Sequence, residues 1–369
     1  MLNSLFQNLY FLVFFSILFC LLLSMRIYPV IIYLSHKKNL MDEPVGRSMH
    51  QRKTPTLGGI GMFVAFTISI ILLGILVQLG QQDLLILLSI LGGTIILLFL
   101  GIKDDLLVLA PKKKFLGQIL SALLVIIGTD TRITSMYGIF GVGELPYWVS
   151  VIFTLLVFVF LINAYNLIDG IDGLAASIAI LINTSFGVYF VLNKEYLYVL
   201  VCFSLIGALV GFLRYNTSKT RKLFMGDSGS LFIGFLLANL AIGFLSINQL
   251  PTTVYKVSNA PIMVLAILSF PILDATRVFI LRLAKGTSPF IADRNHIHHR
   301  LIDTGCSHIK ATLIVVICNI FIIQMAYVLS DLYLNLQLYI ISVVLPLVCL
   351  FPFLLVQKDG KITIQIPKM

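Results

Sequence analysis

The chain of 369 residues is 59% hydrophobic and 11% charged, with a mean hydropathy of +1.02. Soluble domains carry about 25% charge, so this composition excludes a soluble globular fold and points to an all-α, polytopic membrane bundle, with residues 1–369 as a single integral-membrane domain. The formal net charge of +10 is spread over short loops between apolar runs, and no nucleic-acid partner is expected.

In chain order, apolar windows of about 20 residues fall near 5–34, 57–79, 84–102, 115–129, 148–168, 171–192, 197–213, 229–248, 261–281, 311–330 and 336–356, predicting about 11 transmembrane helices. The first window has no basic start and no small-residue cleavage site, so it reads as a retained span. The window 115–129 is short, and 148–192 could be one interrupted segment. The connection 130–147, rich in Thr, Gly and β-branched residues, has the composition of a small hairpin. Lys361-Ile-Thr-Ile-Gln-Ile366 alternates like a strand without an evident partner. Four of the five cysteines (Cys20, Cys202, Cys318, Cys349) lie in apolar runs and Cys306 in a basic loop, which gives neither a disulfide framework nor a zinc pattern.

Lys and Arg set the expected orientation. With the N-terminus outside and spans alternating, the inside segments 35–56, 103–114, 169–172, 214–228, 282–310 and the tail hold 21 of the 26 Lys and Arg, whereas the outside loops hold only Arg132, Lys194 and Lys256. Cytoplasmic loops carry such an excess, so the C-terminus is expected in the cytoplasm.

The acids and histidines fall on that same side. Asn163, Asn166, Asp169 and Asp172 follow one another at intervals of three at the end of the fifth span, and glycines follow both aspartates. Consecutive members of such a row are helix neighbours, and carboxylates at the end of a span read as a site. Asp42 and Glu43 lie in the first inside loop, Asp104 and Asp105 end the third span, and Asp227 opens the eighth within Phe224-Met-Gly-Asp-Ser-Gly-Ser230. Arg294, His296, His298 and His299 lie in the longest inside loop. Carboxylates that meet would repel one another unless a divalent cation and basic side chains relieved them. Oxygen ligands without clustered thiols suit Mg²⁺ or Mn²⁺. Because Mg²⁺ completes its shell with water and phosphate oxygens, a phosphate ester is the implied second ligand, with Lys53, Lys103, Lys112–Lys114 and Arg294 placed to hold it. The turn at 226–230 opens a helix whose N-terminal amides favour an anion. The histidines read as phosphate or sugar contacts in preference to zinc ligands or loop packing. The Lys112–Lys114 run reads as a membrane anchor before a substrate contact, and Asp274 and Arg277, three apart, as a pair within the bundle.

These residues resemble the polyprenyl-phosphate N-acetylhexosamine-1-phosphate transferases, nearest the WecA-type branch and more distantly MraY. The similarity covers five motifs in order: Asp42-Glu-Pro44 with Arg52-Lys-Thr-Pro-Thr-Leu-Gly-Gly59; Gly101-Ile-Lys-Asp-Asp105; Asn163 to Leu174; Phe224 to Ser230; and Ser288-Pro-Phe290 with His296-Ile-His-His299. The resemblance implies an Mg²⁺-dependent enzyme of the bacterial inner membrane, with its site on the cytoplasmic face. It would transfer N-acetylhexosamine-1-phosphate, foremost GlcNAc-1-phosphate, from a UDP-N-acetylhexosamine to undecaprenyl phosphate, releasing UMP in the first membrane step of an envelope polysaccharide. Carried over by motif, Asn166 and Asp227 would hold the metal. Asp104 would sit at the attacking lipid phosphate, as a candidate base, with Asp105 beside it, and Asp169 and Asp172 would shape the nucleotide-sugar pocket or support the metal. Lys53, Asn163, Arg294, His296, His298 and His299 would contact substrate. A homodimer is compatible with this reading. The chain departs from the pattern at Leu106-Leu-Val-Leu109, where the branch carries a further aspartate. The rival readings are an MraY-like phospho-N-acetylmuramoyl-peptide transferase, whose last loop has three consecutive histidines, and an ion-coupled secondary transporter. A transporter would place its charges near the bilayer midplane and often show repeats; here the charges lie at one face and no repeat is visible.

Overall fold

The computed structural model describes residues 5–38, 40–42, 54–107, 109–286, 296–350, 355–358 and 361–364. Thirteen helices follow one another: α1 (Leu9–Lys38), α2 (Gly58–Val77), α3 (Gln81–Leu107), α4 (Pro111–Thr129), α5 (Tyr147–Leu167), α6 (Leu174–Leu192), α7 (Tyr196–Asn216), α8 (Gly226–Gln249), α9 (Ala260–Ile267), α10 (Ser269–Ala284), α11 (Ile297–Asp303), α12 (His308–Val328) and α13 (Leu334–Leu350). Lipid offers no partner for a free amide or carbonyl, so an apolar run of this length must close its own hydrogen bonds as a helix. Each of the eleven apolar windows coincides with a helix or, at 261–281, with the pair α9 and α10. Among the described residues eight helices are long and apolar enough to cross a membrane. The pair α9–α10, bent by 74° at its break, makes a ninth. The remaining two windows hold α4, which begins with three lysines, and the 17-residue α13.

The bundle is organised around α8. Of its apolar window 94% is buried, against 22% for the peripheral α1. Helices in lipid associate through close backbone approach at small residues, and α8 has them on several sides. A side chain at Gly59 of α2 would strike the backbone of Gly229, and one at Gly101 of α3 would strike that of Ser228. Both contacts lie within the first turn of α8, so the packing that seats the helix also brings the ends of α2 and α3 to its N-terminus.

The break between α9 and α10 is closed by one side chain. Asn319 of α12 accepts from the Ser269 hydroxyl (3.0 Å) and the Phe270 amide (3.1 Å), and donates to the Ile267 carbonyl (3.2 Å). Backbone groups freed at a break inside a membrane protein need such partners. The 130–147 connection forms a small hairpin with a bridge between Ser135 and Glu144, pinned by the Tyr137 hydroxyl donating to the Leu245 carbonyl. Two short ribbons complete the described structure. Met41–Asp42 pairs antiparallel with Thr54–Pro55, and Leu355–Lys358 with Lys361–Ile364. The second supplies the strand partner that the alternating tail lacked in the sequence.

Candidate active site

Helices α3, α5 and α7 end, and α2, α6 and α8 begin, around one cavity of about 340 Å³. Asp104 and Asp105 from the last turn of α3, Asn166 from α5, Asp169 and Asp172 from the 168–173 turn, and Asp227 and Ser230 from α8 all line it. Thr56, Asn216 and Phe224 close one side. Acids separated by more than a hundred residues therefore converge, as the one-sided distribution in the sequence predicts.

Their local roles differ. The two oxygens of Asp105 accept from the backbone amides of Asp227 (2.7 Å) and Ser228 (3.2 Å). A helix leaves its first amides unpaired, and a carboxylate there is favoured by both hydrogen bonding and the helix dipole. The N-terminus of α8, expected from the sequence to hold a ligand phosphate, is thus occupied by the chain's own Asp105. Gly226 makes this docking possible: its φ is +71°, and a side chain there would meet the Thr56 carbonyl and the Asp105 carboxylate. The segment before α8 is fixed in turn by backbone bonds to the start of α2, with Phe224 donating to the Pro55 carbonyl, and Gly58 and Gly59 donating to the carbonyls of Phe224 and Met225.

Asp104 is buried. One of its oxygens accepts from the Leu109 amide (2.6 Å) and the other pairs with the Lys114 ammonium, which also reaches Asp227 at 2.9 Å. Lys114 is therefore a site residue, contrary to its reading as an anchor; Lys112 and Lys113 are exposed, as anchors are. The difference is helical phase: α4 starts at Pro111, and Lys114 is the lysine facing α8. Asn166 donates to Asp227 (3.0 Å) and to the Ser230 hydroxyl (2.7 Å), leaving its carbonyl oxygen for a ligand.

The helix of α5 stops at Leu167, so the row of four polar residues is split. Asn163 does not line the cavity. Its amide exchanges hydrogen bonds with Gln118 of α4 (2.7 and 3.3 Å) and caps the Val159 carbonyl, a packing role in place of the expected substrate contact. Asp169 has no hydrogen bond to its carboxylate among the described residues. Burial, followed by the nearby charges of Asp227, Asp105 and Asp172, pushes its pKa up to about 7. Asp172 is the opposite case. Burial works against its charge, but hydrogen bonds from His308 and Lys222 (2.7 Å) outweigh that and hold the carboxyl below its ordinary range.

The histidines sit behind the cavity wall. Asp274 accepts from the Ile297 amide (2.7 Å) and lies 2.7 Å from the His296 ring, so it caps α11. His298 is fully buried, with its ring against Gly170. Burial drives its pKa down to about 3 against the pull of Asp274, so it is a neutral ring. His299 packs on it, with ring centroids 4.3 Å apart. None of the three is among the residues that line the cavity, and His298 packs on its wall at Gly170. Lys53, Arg294 and Glu43 lie outside the described residues, as does the side chain of Asp42.

The side chains of the cavity that could hold a cation offer oxygen alone: Asp227, Asn166 and Asp169. Among the described residues no three His, Cys, Asp or Glu form a metal cage. An all-oxygen set suits Mg²⁺, which takes one or two carboxylates and completes its octahedron with water and phosphate.

Fold and site together define a polytopic membrane protein whose ionisable chemistry is gathered in one acid-lined cavity at one end of a helical bundle. Comparison with known proteins agrees. The profile of glycosyl transferase family 4 matches residues 87–245. The chain is 30% identical over 327 residues to the probable undecaprenyl-phosphate N-acetylglucosaminyl 1-phosphate transferase of Bacillus subtilis, covering 88% of this chain and 87% of that protein. It is 32% identical over 295 residues to the decaprenyl-phosphate N-acetylglucosaminephosphotransferase of Mycolicibacterium smegmatis, covering 74% and 71%. It is 30% identical over 290 residues to the undecaprenyl-phosphate alpha-N-acetylglucosaminyl 1-phosphate transferase of Salmonella typhi, covering 76% and 73%. The chain belongs to the polyprenyl-phosphate N-acetylhexosamine-1-phosphate transferases of glycosyl transferase family 4.

Proposed function

We propose that the protein transfers GlcNAc-1-phosphate from UDP-GlcNAc to undecaprenyl phosphate, with Mg²⁺, at the cytoplasmic face of the bacterial inner membrane. The observation that carries this reading is the convergence of Asp104, Asn166, Asp169 and Asp227, from α3, α5, the 168–173 turn and α8, on one cavity with Lys114 between two of them. Three acids and an amide held together in a space of that size favour a cationic or metal-bridged ligand. A phosphoryl donor bound through Mg²⁺ supplies this.

The reaction forms a bond from an oxygen of the lipid phosphate to the β-phosphorus and breaks the bond from that phosphorus to the oxygen bridging to the α-phosphorus, so that UMP leaves. Mg²⁺, when bound, would neutralise charge on the pyrophosphate oxygens. Asp227 and the carbonyl of Asn166 would hold it, with Asp169 beside them. Lys114 supplies a second positive charge and offsets part of the burial and Asp227 effects that push the Asp104 pKa up to about 6. Phosphoryl transfer needs mainly positioning and charge neutralisation. A phosphate monoester is already largely ionised near pH 7, its second pKa being about 6, so Asp104 need not act as a base. Asp105 acts through α8: it fixes the helix end that carries Asp227.

A lipid acceptor with its tail in the bilayer requires a site at the end of the bundle, which is where the cavity lies. The Lys and Arg excess in the segments at that end supports a cytoplasmic face for it. The test is a panel of UDP-sugars offered to the purified protein with undecaprenyl phosphate and Mg²⁺. Release of UMP fastest from UDP-GlcNAc supports the reading, whereas preference for UDP-N-acetylmuramoyl-pentapeptide would move the protein to the MraY-like class.

A further inference from the structure

His308 appears in none of the five sequence motifs and lies outside the residues that match the family profile, yet it reaches the cavity wall. It is the first residue of α12. Its Nδ1 accepts from the Asp172 amide (3.3 Å) and lies 3.0 Å from the Asp172 carboxylate. One turn on, the Thr312 hydroxyl donates to the Asp172 carbonyl (3.3 Å). Two side chains at i and i+4 on one face of α12 therefore grip a single residue. From the other side, Lys222 of the 217–225 loop donates to the same carboxylate oxygen at 2.7 Å and lies 5.3 Å over the ring of Phe224. The turn is also tied at Gly173, whose amide donates to Asn216 (2.6 Å), itself bonded to the Leu223 carbonyl. Asp172, Asn216 and Phe224 all face the cavity. A carboxylate on a turn has several rotamers available. Here one oxygen is fixed by two cationic or hydrogen-donating groups from separate elements, which leaves the other directed by the geometry of the clamp.

We propose that His308, acting with Lys222, is a positioning residue for the reaction: it fixes the Asp172 carboxylate in the orientation that receives the nucleotide-sugar. This rests on the function proposed above. Nδ1 meets Asp172 at both its amide, which donates to the ring, and its carboxylate, so the contact depends on the atom nearest the backbone, not on bulk or on Nε2. An asparagine places its side-chain amide close to that position; an alanine places nothing there.

The experiment is steady-state kinetics on the purified full-length protein in lipid nanodiscs, with UDP-GlcNAc and undecaprenyl phosphate varied in turn. The variants are His308→Ala, His308→Asn and Lys222→Met. The expected result is a KM for UDP-GlcNAc raised about tenfold in His308→Ala and Lys222→Met, with kcat and the KM for the lipid changed less than about threefold. His308→Asn is expected to return to within about threefold of wild type. A wild-type KM in His308→Ala would overturn the proposal. So would a parallel loss in all three constants with a lowered Tm, or a His308→Asn protein that folds with wild-type Tm and behaves like the alanine variant. A wild-type protein that releases no UMP would overturn the functional reading and this inference with it. A wild-type protein that turns over while the variants keep its constants overturns the positioning role alone.

Discussion

The two aspartate pairs of the cavity look alike in sequence and are used differently in space. In the pair at the end of α3, both members are fully engaged: Asp105 by two amides of α8, and Asp104 by the Leu109 amide and Lys114. In the pair on the 168–173 turn, Asp172 is clamped by Lys222 and His308, while Asp169 faces the cavity with no hydrogen-bond partner among the described residues. The first pair builds the site and the second leaves a charge for a ligand to satisfy. Acidic residues in such a cavity should therefore be sorted by what already satisfies them, since a carboxylate already bonded to two amides offers little to a cation.

The largest expected effect on the fold comes from the first pair. Asp105→Ala leaves two buried amides without an acceptor, at about 1–3 kcal/mol each, and frees the helix end bearing Asp227. A Tm lowered by several degrees together with activity down about a hundredfold or more is expected. A variant that keeps its Tm but loses activity would show that Asp105 acts on substrate and not on α8. A smaller effect is expected at Asp169. Asp169→Asn should slow turnover about tenfold to a hundredfold, and it should also change how stability depends on pH. The folded-state pKa of Asp169 is raised to about 7, so the native protein holds its proton where the unfolded chain has lost it. Its contribution to stability is then present below about pH 4 and is lost as pH rises through 7. In metal-free protein, Asp169→Asn should raise Tm more at pH 8 than at pH 5. An equal shift at both would mean that the carboxylate is not held in this way. Wild-type protein should also bind Mg²⁺ more tightly at pH 8 than at pH 6, as titration calorimetry would show. The smallest effect is expected outside both pairs. Asn163→Ala should leave KM and kcat within about threefold and lower Tm slightly, because it orphans Gln118. A large KM change there would return Asn163 to the cavity.

The sequence made the membrane bundle legible because apolar runs of about 20 residues have one structural outcome in lipid. It also indicated convergence of the acids, because Lys and Arg placed all of them on one side. What it left open was phase and satisfaction. Asn163 and Asn166 are one helical turn apart, but the helix ends at Leu167 and α4 offers Gln118 to the first of them. Lys114 looks like Lys112 and Lys113 until the start of α4 is known to be Pro111. Asp274 stands three residues from Arg277 in sequence, yet its carboxylate caps α11, 23 residues further on. His308 and Lys222 carried no motif signal because their role depends on contact with a turn 136 and 50 residues away. One missed signal was available. Asp359-Gly360, between the two strands of the tail, is a favoured hairpin pair.

The central claim is that the converged acids around Asp227 carry phosphoryl transfer. It is tested most directly by UMP release from UDP-GlcNAc and undecaprenyl phosphate, titrated with Mg²⁺, in the wild type and in Asp227→Asn. Saturable, Mg²⁺-dependent release in the wild type, with a loss of about a thousandfold or more in the variant that added Mg²⁺ does not restore, is the expected result. Near-normal turnover by Asp227→Asn would contradict the account.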